Sequence, residues 1–175
     1  MLTTKRLYLR NFTDDDASAL YELAKEPDIG YWAGWPAHQS VEESLRIIQT
    51  VFISPTAYAI IERETDHLVG SIELIRHGDS RLTQTENQAD IGYWIGKKYW
   101  GRGYAPEAIE AVVRYAFEEL ELDTIWCGYF EGNEQSKRAQ LKCGFEAFGV
   151  IEEVECRLLG EVRREYVTVL QSKKG

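Results

Sequence analysis

The chain is short of cysteine, histidine and proline and has no long apolar run, and each scarcity removes a class of protein. Its three cysteines, Cys127, Cys143 and Cys156, form no CxxC pair. An odd, scattered set suits a reducing compartment better than a disulfide frame. The three histidines, His38, His67 and His77, have no i, i+4 partner and no neighbouring cysteine, so no metal site is expected. No Pro/Gly/Ser-rich linker interrupts the sequence, which leaves one domain over residues 1–175. Nothing approaches the roughly 18 apolar residues of a membrane span, and the N-terminus lacks a basic-then-apolar secretory segment. The expected location is therefore the cytoplasm, with no membrane partner. Positive charge is also in the minority: 20 Lys and Arg stand against 29 Asp and Glu, a net charge of −9. Nucleic acid is not an expected partner, because phosphate backbones demand basic patches. Acidic clusters at 14–16, 118–123 and 152–155 would favour a cationic partner, although such charges also simply solvate surfaces and helix ends.

What is present is a globular composition, 44% hydrophobic and 12% aromatic over 175 residues, enough for one well-filled core. The pattern alternates strands and helices. Residues 7–9 read as a strand; Thr13 caps a helix carrying Leu20, Leu23 and Ala24; Ser40-x-x-Glu43 is a capping box before Leu45 and Ile48. Strands follow at 58–61 and 68–75, then around Asp90, at 124–129, 148–154 and 164–170. Trp32 and Trp35 fall in an expected loop between the first two helices, where they either close the edge of the core or form a wall of a binding pocket.

The densest signal is Lys98-Tyr99-Trp100-Gly101-Arg102-Gly103-Tyr104-Ala105-Pro106. It joins the β-rich stretch Ala89-Asp90-Ile91-Gly92-Tyr93-Trp94-Ile95 to a helix whose Ala105, Ala108, Ile109, Val112, Ala116 and Leu120 keep helical spacing. Unpaired N–H groups and the positive end of the helix dipole favour phosphate there, and glycines let it approach the main chain. Neither a dinucleotide fingerprint nor a Walker-type loop fits, since Pro106 stands where the former needs a small residue and no Gly-Lys-Ser/Thr follows.

The pattern basic-x-x-Gly-x-Gly, led by Lys98, resembles the acyl-CoA pyrophosphate loop of the GNAT N-acetyltransferase superfamily. Asn133-Glu-Gln-Ser136, closing on Gly144-Phe145, is similar to that family's second signature. With the opening Thr3-Thr-Lys-Arg-Leu7-Tyr-Leu9-Arg10 and with Ile91-Gly92-Tyr93-Trp94, it resembles the RimJ/RimL-like branch, whose members acetylate ribosomal-protein N-termini, with relatives that take polyamines and other small amines. The resemblance implies an α/β fold with a mixed, twisted sheet of about seven strands, splayed between the fourth and fifth, and about four helices. It implies acetyl-CoA as the acetyl donor, a primary amine as acceptor, direct transfer without a covalent enzyme intermediate, and a possible homodimer. Residues implied to hold the donor are Trp94, Ile95, Lys98, Gly101, Arg102, Gly103, Tyr104, Ala105, Asn133 and Ser136; Trp32 and Trp35 would face the acceptor.

Chemistry requires a proton acceptor for the amine, donors for the tetrahedral oxyanion and a group to protonate the departing thiolate. Many members of the family place a tyrosine seven residues after the signature Asn, but here that position is Gln140. Ser136 matches the serine that the branch places near the thiol. Glu155 is the positional match to its base, Glu153 shares the face of Glu155 by strand alternation, and Asp90 is the third candidate. Cys127 and Cys143 lack histidine partners and lie in apolar patterns, which favours core packing over a covalent acetyl-enzyme. The missing tyrosine leaves one alternative of another class, a non-catalytic acyl-CoA sensor.

Overall fold

The computed structural model describes residues 1–173; the last two residues of the expected 1–175 domain lie outside them. Thirteen elements alternate along the chain: β1 (Leu2–Thr3), β2 (Leu7–Asn11), α1 (Ala17–Ala24), α2 (Pro27–Ala33), α3 (Val41–Thr50), β3 (Ala57–Glu62), β4 (His67–Arg76), β5 (Gln88–Ile95), α4 (Tyr104–Glu118), β6 (Thr124–Phe130), α5 (Glu134–Lys142), β7 (Glu146–Cys156) and β8 (Glu161–Gln171). The strands form one sheet in the order β1-β2-β3-β4-β5-β6-β8-β7. The mixed, splayed sheet expected from the sequence is therefore present, with one strand more than the seven read there.

Every neighbouring pair is antiparallel except β5 and β6, which run parallel and pair only at Gln88↔Thr124, Ala89↔Ile125 and Asp90↔Trp126. β5 continues to Ile95 and β6 to Phe130. Past Asp90 the two strands diverge, and the main chain of β5 facing the gap has lost its β6 partner. A gap inside a sheet leaves backbone groups to be satisfied by something else. This opening is the origin of the site.

The core lies between the sheet and the helices. Leu7, Leu9, Ile60, Ile72, Leu74, Ile109 and Ile125 are fully buried, and α4 supplies Ala108, Ile109, Val112 and Ala116 from the face that its sequence periodicity predicts. Ser40 caps α3 as read, with the Glu43 amide donating to Ser40 Oγ at 3.0 Å, but the Glu43 carboxylate accepts from the amide of Gln39 at 2.7 Å rather than from that of Ser40, one residue off the expected capping box. None of the helices among the described residues is long and apolar enough to cross a membrane.

One expectation is corrected. Trp32 lies in helix α2, not in a loop, and Trp35 follows its C-terminus. Pro27 opens this helix in the first turn and Gly34 closes it in the left-handed region at φ 92°. Two turns are too short for apolar periodicity to register. Gly30 inside it looks like a breaker, yet it is required because a Cβ there would collide with the Trp35 carbonyl.

Candidate active site

The glycine-rich turn forms the first half of the site. Gly101 and Gly103 both adopt left-handed conformations, at φ 76° and 77°, and Gly103 is the N-cap of α4. A Cβ on Gly101 would meet nothing within 4 Å, so the space above it is open to a ligand. The turn is fixed from behind. Arg6 donates to the Arg102 carbonyl at 2.8 Å and to Glu107 at 2.7 Å, and Glu107 also accepts from Thr4 Oγ1 at 2.6 Å and from the Arg6 amide at 2.8 Å. Burial alone would raise the Glu107 carboxyl, but these bonds from Thr4 and Arg6 outweigh it and hold the group below its ordinary range.

A cleft of about 310 Å³ runs from this turn along the gap. Of the expected donor-binding residues, Trp94, Ile95, Gly101, Gly103, Tyr104, Ala105, Asn133 and Ser136 line it. Lys98 and Arg102 do not. The Lys98 side chain is exposed and lies 5.2 Å from the Tyr99 ring, and Arg102 turns to Glu62, 3.9 Å away. Positive charge at the cleft comes instead from Arg138 and Lys142, one turn apart on α5, exposed and without an ion-pair partner among the described residues. A phosphate-bearing ligand fits this lining: open backbone at a helix N-terminus, with two free cations nearby.

A hydrogen-bonded cluster stands between the parted strands. The Tyr93 hydroxyl and Ser136 Oγ are 2.6 Å apart, and Gln140 Nε2 lies 3.1 Å from Ser136 Oγ and 3.3 Å from the tyrosine oxygen. Gln140 is fully buried and held in one orientation, donating to the Gly128 carbonyl at 2.9 Å and accepting from Thr168 Oγ1 at 2.8 Å. Burial drives the Tyr93 phenol well above its ordinary range, so it stays protonated. The position that lacks the family's tyrosine thus holds an amide, while β5 sends a phenol to the same cluster. Tyr93 belongs to the Ile91-Gly92-Tyr93-Trp94 motif, but the motif alone assigns it no role.

Asn133 Oδ1 accepts from the Ser136 amide at 3.2 Å, which makes it the N-cap of α5. Its side chain also lines the cleft. Serine can keep the cap while removing the amide. Asn133→Ser is expected to leave Tm nearly unchanged and to weaken acetyl-CoA binding several-fold by calorimetry, whereas Asn133→Ala should also cost about 1 kcal/mol of stability. Unchanged affinity in both variants would reduce Asn133 to a cap.

A second cleft, of about 360 Å³, lies on the other side of the cluster and shares Trp32, Ala33, Tyr93, Trp94, Asn133 and Ser136 with the first. Its floor is set by register: Ser71, Glu73 and Ile75 of β4 stand opposite Trp94, Gly92 and Asp90 of β5. Glu165 reaches in from β8 across Gly128, where a Cβ would collide with its carboxylate. Trp35 packs edge-on against Trp94 at 5.8 Å, so Trp32 and Trp35 both line this cleft. Burial pushes the Asp90 carboxyl up to about 6, against the hydrogen bond donated by Ser80 Oγ at 3.2 Å and the field of Arg81. Burial also raises Glu73, with Asp79 adding to the effect.

Glu155 and Glu153 stand elsewhere. Both are on β7, the edge strand, and β8 lies between them and the gap. Glu155 is 70% exposed, pairs with Arg157 at 3.2 Å and lines neither cleft. Alternation along a strand gives the face of a side chain but not the place of the strand in the sheet. Cys127 is fully buried with its thiol pushed well up by burial, and the same effect takes Cys143 to about 12. Neither is a thiolate at neutral pH.

A helix start with open main chain, a parted parallel strand pair and a second cleft sharing residues with the first are the features of a CoA-dependent acyltransferase. The chain belongs to the GNAT acetyltransferase family: the Acetyltransferase (GNAT) domain matches residues 6–146. It is 34% identical over 158 residues to the uncharacterized N-acetyltransferase YoaA of Bacillus subtilis, covering 87% of this chain and 86% of that protein. It is 28% identical over 126 residues to the ribosomal-protein-serine acetyltransferase of Escherichia coli, covering 69% and 67%. The crystal structure of a GNAT-family acetyltransferase from Bacillus anthracis superposes with a TM-score of 0.85 at 23% identity over 97% of both chains. These relatives are consistent with the RimJ/RimL-like branch. The chain is an acetyl-CoA-dependent N-acetyltransferase.

Proposed function

We propose that the chain transfers the acetyl group of acetyl-CoA directly to a primary amine held in the second cleft. The single observation that carries this reading is the meeting of the two clefts at Tyr93, Trp94 and Ser136. Donor thioester and acceptor amine can then be held side by side, which turns a bimolecular step into an effectively unimolecular one. The amine nitrogen attacks the thioester carbon. The oxyanion falls to the unpaired main chain of β5 near Trp94 and Ile95. Asp90, which lines the same cleft, takes the amine proton through a chain of waters along its floor, and its elevated proton affinity suits that task near neutral pH. As the C–S bond breaks, the sulfur leaves as a thiolate that accepts a hydrogen bond from Ser136 Oγ, held in place by the Tyr93 hydroxyl at 2.6 Å. It takes its proton from solvent as CoA departs, while the proton on Asp90 is released to water.

This assignment moves the base from Glu155 to Asp90 and supplies through Tyr93 the phenol missing at position 140. The E. coli relative is named for acetylating a ribosomal protein, so a peptide with a free N-terminus belongs in the acceptor panel beside a diamine, an aminoglycoside and a small metabolite amine. Free thiol released from acetyl-CoA is the readout. Turnover with at least one amine is expected. Acetyl-CoA binding without thiol release from any of them would favour the sensor reading.

A further inference from the structure

The second cleft contains a charge arrangement that the transfer reaction does not require. Glu73, Asp90 and Glu165 enter it from three strands, and among the described residues Arg81, on the loop between β4 and β5, is the only basic one lining it. Glu165 is 4% exposed. It is ion-paired with Arg81 through Oε2, while its Oε1 has no hydrogen-bond partner among the described residues and lies over Gly128. Glu165 lines the cleft, and Oε1 is free to accept from a donor on a bound ligand. Arg81 itself is half exposed and comes from a surface loop. Leaving the buried carboxylate unpaired would be costly, so the guanidinium can move out into solvent only when another cation takes its place.

The walls complement the floor. Trp32, Trp35, Trp94 and Phe130 surround the carboxylates with aromatic surface, which accommodates a methylene chain and attracts cations to the ring faces. Deprotonated, the floor carries three negative charges against one positive. An uncharged or singly charged acceptor would leave that surplus uncompensated.

We propose that Arg81 occupies, at Glu165, the seat of a second positive charge of the acceptor, so that the preferred acceptors are amines with another cationic centre a few bonds from the reacting nitrogen. The proposal rests on the acetyltransferase reading above and adds the substrate class. The reacting amine sits at Tyr93, Trp94 and Ser136, and the distal ammonium displaces the Arg81 guanidinium from Glu165. Arg81 is then a built-in competitor that keeps the buried carboxylate paired between turnovers and discriminates against monocations, which cannot dislodge it.

The test compares 1,4-diaminobutane with butylamine as acceptors, using thiol release from acetyl-CoA and the ratio of their kcat/KM values. In the unsubstituted protein the diamine should be preferred by about tenfold, the scale of one charge-assisted hydrogen bond. Arg81→Gln should raise the ratio by removing the competitor, and Glu165→Gln should lower it by about the same factor. Glu118→Gln, on the exposed end of α4, should leave it unchanged, which separates a local seat from the general pull of an acidic protein. A ratio near one, or Arg81→Gln and Glu165→Gln moving it in the same direction, overturns the proposal while thiol release with butylamine leaves the acetyltransferase reading intact. If neither amine is acetylated, calorimetric titration of 1,4-diaminobutane into the CoA-bound protein decides: binding that weakens in Glu165→Gln supports the seat, and no binding overturns it.

Discussion

Asp90→Asn is expected to lower kcat for amine acetylation by about 10²-fold while leaving acetyl-CoA affinity nearly unchanged, because a general base acts mainly in the transition state. The pH dependence follows from the environment of the carboxylate. Burial places its proton affinity at about 6, and the base works deprotonated, so the rate of the unsubstituted protein should fall as pH drops through about 6. The variant should lose that limb. Stability moves the other way. The folded-state value lies above the ordinary 3.8, so folding favours the protonated form, and the ionised form costs stability as pH rises above 3.8 and through 6. Asn removes that cost and can still accept from Ser80, so Tm at pH 7.5 should rise. A slower enzyme with a higher Tm cannot be explained by damaged folding. Full activity in Asp90→Asn would return the base to another carboxylate, with Glu73 and Glu165 the remaining ones that line the cleft.

Gly101→Val is expected to weaken acetyl-CoA binding by tens-fold, on the order of 2 kcal/mol for lost charge-assisted bonds between phosphate and main chain. The open space above Gly101 means that the new side chain meets no protein atom nearby and fills only the room intended for the ligand. A β-branched residue in the left-handed region also carries backbone strain of about 1–2 kcal/mol. Gly160 provides the control. It has φ 64°, also faces open space, and lies in the turn between β7 and β8 away from both clefts. Gly160→Val should lower Tm to a similar degree and leave acetyl-CoA affinity unchanged. Equal affinities in the two variants, measured by calorimetry, would move the phosphate site away from the turn.

Much of this arrangement was legible because its determinants are local. The glycine turn, the amphipathic α4 and the Asn133 cap depend on residues within one or two turns of each other, and so does the strand pattern from β2 to β8. What depended on sheet order was not legible. Glu73 between Ile72 and Leu74 in β4 and Glu165 among the alternating residues of β8 are signals of a polar site, but only the pairing of β4, β5, β6 and β8 brings them to one floor. The same ordering removes Glu155, one strand too far out. Thr4 and Arg6 belonged to a motif read from the sequence, yet their task of bracing the phosphate turn spans about a hundred residues of chain. The basic position of the loop motif is filled by Lys98, whose exposed side chain is not part of the cleft lining, while Arg138 and Lys142 are. Helix α2 was missed because seven residues with a central glycine carry no periodic signal.

The central claim is that donor and acceptor occupy adjoining clefts together and react directly, with no acetyl-cysteine between them: the Cys127 and Cys143 thiols are both held protonated and line neither cleft. Initial rates measured while varying acetyl-CoA at several fixed concentrations of an accepted amine test it most directly. Direct transfer within a ternary complex predicts double-reciprocal lines that intersect to the left of the axis. Parallel lines, the pattern of an acetyl-enzyme formed before the amine binds, would contradict it.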